Sequence, residues 1–68
     1  MIPKAATSKQ IGFIQWKIRI EKPELEGLEG FKHLNKMSVF EASDLIGEIK
    51  DGFWEQAELI IKNLHPDK

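Results

Sequence analysis

"FIQWKIRIE", residues 13–21, decides the fold because it fits two incompatible backbones. Read with a period of two, Ile14, Trp16, Ile18 and Ile20 fall on one side, with Gln15, Lys17, Arg19 and Glu21 on the other. That is the alternation of a half-buried strand. Read at 100° per residue, Thr7, Ile11, Ile14 and Ile18 form one stripe, while Phe13, Trp16 and Ile20 form a second almost opposite it. The residues upstream favour the helix. Thr7 can cap a first turn, and Gln10 three residues on can return the bond to the cap's own amide, the reciprocal arrangement of a capping box. A strand also needs a sheet, and no second segment alternates convincingly, so it would have to pair across a dimer. A helix over 7–21 is therefore expected, with one stripe closing the core and the other covered by a further element or a partner.

A second start signal lies at "MSVFEASDLIGEIK", residues 37–50, where Ser38 and Glu41 repeat the capping pattern ahead of Ala42, Leu45, Ile46 and Ile49 at helical spacing. A helix over 38–50 is expected. Another is expected over 52–64, with Phe53, Ala57, Ile60, Ile61 and Leu64 on one side and Pro66 as its stop. Asp51 and Gly52 can form a turn between the two. The apolar phase nevertheless runs on from Ala42 to Leu64, so one long helix is the alternative.

Residues 1–6 have no period and read as a loose lead-in. Residues 22–36 read as a connector containing one short helical turn, started by Pro23 and anchored by Leu25, Leu28, Phe31 and Leu34. Gly27 and Gly30 disfavour a regular helix there. The chain is thus expected to be an all-α domain of three or four helices.

At 68 residues without cysteine, the chain forms one small domain with no disulfide to hold it, and a partner or a second copy would help stabilise it. The lack of cysteine also removes thiolate catalysis and Cys-based zinc sites, and fits an intracellular protein. The longest apolar runs fall far short of the ~20 residues of a spanning helix, so no membrane association is expected and the expected compartment is the cytoplasm. The formal charge is −1, unevenly spread: residues 1–23 hold five basic side chains against one acid, and residues 24–68 hold five against ten. Such a split can give a neutral protein a basic face, although neutralisation between neighbouring elements is the blander outcome.

Chemistry is poorly represented. Asp44 with Glu48, and Glu55 with Glu58, are carboxylates one helical turn apart, as general acid and base pairs can be, but solvated helix faces look the same. Gly27 and Gly30 sit among glutamates, unlike a phosphate loop. His33 and His65 lack metal-ligand spacing. No enzyme activity, metal or cofactor is expected. The terminal "LHPDK" resembles the end of the second helix and the His-Pro-Asp loop of J-domain co-chaperones. That resemblance implies contact with a heat-shock chaperone through His65, Pro66 and Asp67. The plainer reading is a helix stop, with His favourable at the negative end and Pro halting the turn.

The two capped segments together resemble a small helical module of bacteriophages and bacteria. In that family a Thr-x-x-Gln followed by aromatic and aliphatic residues opens one helix, and a Leu/Met-Ser/Thr-x-x-Glu-Ala-Ser-x-x-Ile motif opens the next. Thr7, Gln10, Phe13 and Ile14 match the first part; Met37, Ser38, Glu41, Ala42, Ser43 and Ile46 match the second. The likeness covers roughly residues 5–50 and is more specific for fold than for activity. It implies a setting in phage DNA metabolism or host interaction, and hence the host cytoplasm.

Three functions fit these residues. The first is a nucleic-acid-associated accessory factor whose Lys9, Lys17, Arg19 and Lys22 contact phosphates, with Phe13 and Trp16 available for stacking. The second is a protein-binding inhibitor or modulator of a host or defence protein, using the spare apolar stripe of the first helix or the acidic later helices. The third is a ribbon-helix-helix repressor, in which "WKIRIE" pairs with its copy in a homodimer and Lys17 and Arg19 read the major groove.

Overall fold

The computed structural model describes residues 4–64; the His65–Asp67 motif lies outside them. The described chain is all-α, with no named strand: α1 (Ser8–Glu21), a 3-10 segment (Pro23–Gly27), a second 3-10 segment (Glu29–Lys36), α2 (Val39–Lys50) and α3 (Trp54–Lys62). "FIQWKIRIE" lies entirely within α1. The strand pairing that a ribbon-helix-helix dimer needs is therefore not made by these residues.

Both start signals take the geometry expected of them. The Thr7 amide donates to Gln10 Oε1 at 2.9 Å and the Gln10 amide donates to Thr7 Oγ1 at 3.1 Å. At α2 the Ser38 amide donates to Glu41 Oε1 at 2.8 Å and the Glu41 amide to Ser38 Oγ at 3.1 Å. Each box satisfies amides that the first turn of a helix leaves without partners.

The two boxes are also joined to each other. The Ala6 amide donates to the Met37 carbonyl at 3.0 Å and the Val39 amide to the Lys4 carbonyl at 2.7 Å, forming an isolated antiparallel bridge between Ala5 and Ser38. Gln10 Nε2 adds a bond to the Val39 carbonyl at 3.2 Å. Over residues 4–6 the lead-in is thus tied down, where the sequence alone suggested a loose segment. The reason is long-range: its partners lie more than thirty residues away, beyond the reach of any local pattern. In consequence α1 and α2 start from the same end of the molecule and pack on each other.

The connector holds two 3-10 segments where one turn was expected. Pro23 sits at the start of the first, where its fixed φ suits a helical turn and its missing amide hydrogen costs nothing. Leu25 and Leu34 are buried, with Leu28 and Phe31 partly so. The second segment carries Gly30, which is buried against α3, and it is interrupted at His33.

α2 and α3 are separate helices. Asp51 closes α2, Gly52 adopts φ +80, a left-handed conformation that side chains disfavour, and Phe53 leads into α3. α3 starts at Trp54, two residues later than expected. The core gathers Ile14 and Ile18 of α1, Leu25 and Leu34 of the 3-10 segments, Met37 after them, Ala42, Leu45 and Ile49 of α2, Ala57 and Ile61 of α3, and Leu64. Phe53 does not join it and is 57% exposed, because as the residue before the helix its side chain is not set by α3's periodicity.

Candidate partner-binding face

With Ile14 and Ile18 fully buried, the opposite side of α1 is turned outward. Trp16 is 56% exposed and Ile20 59%, while Phe13 beside them is half-buried at the edge of the core. Lys9, Phe13, Trp16 and Ile20 follow spacings of four, three and four residues, the pattern of a single helical stripe about 16 Å long. The Phe13 and Trp16 rings are tilted at 53° with centroids 6.2 Å apart.

Cations border this stripe. Lys17 Nζ stands 5.7 Å from the centre of the Trp16 ring, and Lys50 Nζ, from the last turn of α2, stands 5.6 Å from that of Phe13. Both distances lie within the ≈ 6 Å range of cation-π attraction. Lys50 was not among the residues singled out from sequence. No linear signal marks it, since only the packing of α2 against α1 brings it to Phe13.

The charged candidates of α1 have diverged in role. Lys17 forms an ion pair with Glu21 one turn on, and Arg19 Nε lies 3.7 Å from Glu26 Oε2 of the first 3-10 segment. Neighbouring acids thus offset part of the basic stretch. Lys9 is exposed and pairs with no acid among the described residues. Lys22 ends the helix: it is half-buried, and its amide donates to the Ile18 carbonyl at 2.8 Å.

Elsewhere, an open cleft of about 200 Å³ lies between α2 and α3, lined by Glu41, Asp44, Ile60, Asn63 and Leu64. It is smaller than the ~300–1,000 Å³ of drug-sized ligand sites, and its Glu41 is engaged in the Ser38 cap. Of the paired carboxylates, Glu58 is bound to Lys62 at 3.0 Å, while Asp44 and Glu55 are exposed to solvent. No group of three or more His, Asp or Glu side chains able to hold a metal ion occurs among the described residues. No helix among them is long and apolar enough to cross a membrane. In comparisons with known proteins, no family model, curated protein or solved structure matches the chain.

Proposed function

We propose that this chain is a small binding module, without chemistry of its own, that engages a protein partner through the outer face of α1. The observation that carries this reading is the exposure of Trp16 and Ile20 on a capped helix whose other side is the core. A large aromatic beside an aliphatic side chain, held on a rigid element, is the composition of an interface anchor. The resemblance of the two capped segments to a phage helical module makes a host or defence protein one candidate target, beside a component of DNA metabolism.

Nucleic acid is the second reading, and it rests on the lysines placed beside Phe13 and Trp16. Stacking with flanking charge suits a single strand. Against it stand the pairing of Lys17 and Arg19 with Glu21 and Glu26 and the net charge of −1. An exposed isoleucine also gains more from an apolar partner surface than from a phosphate backbone.

The test is capture by tagged protein from bacterial lysate, with and without nuclease, beside a Trp16→Ala/Ile20→Ser variant. The reading expects one protein retained after nuclease treatment and lost with the variant. Loss of every captured species on nuclease treatment would overturn it in favour of nucleic acid.

A further inference from the structure

We infer that the partner presents an amphipathic helix with acidic flanks, laid along α1 so that its apolar stripe covers Phe13, Trp16 and Ile20 while its carboxylates meet Lys9 and Lys50. This rests on the reading of the outer α1 face as the working surface and adds the chemistry of what covers it.

The argument begins with shape. Trp16 and Ile20 are exposed one turn apart, with Phe13 a turn before Trp16, giving an apolar strip that a helix fills with residues at matching intervals. Charge then narrows the choice. Lys17 and Lys50 stand over the two rings, and Lys9 continues the stripe one turn before Phe13. Glu21 is the one acid of α1, and it is bound to Lys17. With Arg19 likewise beside Glu26, the charge left over along the strip is that of Lys9 and Lys50, positive although the chain as a whole is slightly negative. A basic helix would meet the ammonium groups of Lys9 and Lys50, which pair with no acid among the described residues, whereas an acidic one would meet its complement.

A displayed library of helix-patterned peptides, randomised in apolar and charged positions, tests this directly. Selection is run in parallel on the protein and on its Trp16→Ala/Ile20→Ser variant. Enrichment on the unaltered protein of clones with an apolar stripe at helical spacing and flanking Asp or Glu supports the inference. For the best such clone made as a free peptide, Lys9→Glu/Lys50→Glu should weaken binding at least tenfold. Enrichment of neutral or basic clones, or of clones without helical period, would overturn the inference while leaving the α1 face as the binding surface. Equal enrichment on protein and variant would remove the α1 face itself. Tighter, salt-sensitive binding of an oligo-dT strand, or self-association lost with the Trp16 variant, would overturn the inference by showing that a nucleic acid or a second copy covers the strip.

Discussion

Gly30 lies directly against the main chain of Ile61: a β-carbon at position 30 would stand 2.8 Å from the Ile61 carbonyl carbon and closer still to its oxygen. The second 3-10 segment can approach α3 this closely only because residue 30 has no side chain. Since the opposing atoms are backbone near the end of a helix, they cannot swing aside. Gly30→Ala should therefore cost about 3 kcal/mol, at the upper end of overpacking effects. Gly47, in α2, has open space where its β-carbon would go, so Gly47→Ala should gain about 0.5–1 kcal/mol. Urea unfolding of the two variants checks the opposite signs.

The joined capping boxes predict coupling between positions 31 residues apart. Thr7→Ala and Ser38→Ala should each cost about 1 kcal/mol, the usual loss of an N-cap hydroxyl. Gln10→Ala should cost more than Thr7→Ala, because Gln10 Oε1 serves the Thr7 amide while its Nε2 reaches the Val39 carbonyl. Since each box borders the bridge, the Thr7→Ala/Ser38→Ala pair should deviate from additivity by at least ~0.5 kcal/mol in a double-mutant cycle. Strict additivity would mean that the two helix starts act independently.

The two sides of α1 should separate stability from binding. Ile14 is fully buried, so Ile14→Ala should cost roughly 2–5 kcal/mol. Ile20→Ser should shift stability by only about 0.5 kcal/mol, and Trp16→Ala, which also loses the Phe13 and Lys17 contacts, by about 1–1.5 kcal/mol. Thermal melts paired with partner capture check this: the exposed substitutions should abolish capture while lowering the melting temperature far less than Ile14→Ala does.

Phe53 occupies the N-cap of α3 without a side-chain hydrogen bond, and its ring is largely in water. Phe53→Asp would supply an acceptor for the first amides of α3 and a negative charge at its positive end. A gain of about 0.5–1 kcal/mol is expected, with α1-dependent binding unchanged. Loss of binding on this substitution would show that the contact surface extends to the α2–α3 turn.

The elements that could be read from the sequence are those whose determinants are local. Thr7 with Gln10 and Ser38 with Glu41 announce their helices within four residues, and helical spacing alone picks out Ile14, Ile18, Ala42, Leu45 and Ile49 as core. Gly52 between Asp51 and Phe53 marks a turn, although periodicity by itself would carry one helix through it. What stayed hidden depends on contacts between distant residues. Gly30 reads only as a cost inside a helix until Ile61 is seen against it. Met37, almost fully buried, reads as part of a motif until Ala6 is seen pairing with it. At the candidate site, Phe13, Trp16 and Ile20 stand out as the second stripe of α1. Lys50 does not, whereas the neutralisation expected of the charge split is met by Glu21, one turn on from Lys17, and by Glu26 of the neighbouring segment beside Arg19.

The clasp between residues 4–6 and 37–39 bears on how the outer face would meet the proposed partner. Many peptide-like ligand sites order only on contact, and the entropy lost then weakens the complex and slows its formation. Here α1 is fixed at its first turn by its own cap and by Gln10's bond to the start of α2. The Trp16 and Ile20 side chains therefore project from a backbone that folding has already immobilised. Association proposed for this face would be preorganised, so its rate should depend on encounter and side-chain fit, with no helix-forming step to delay it.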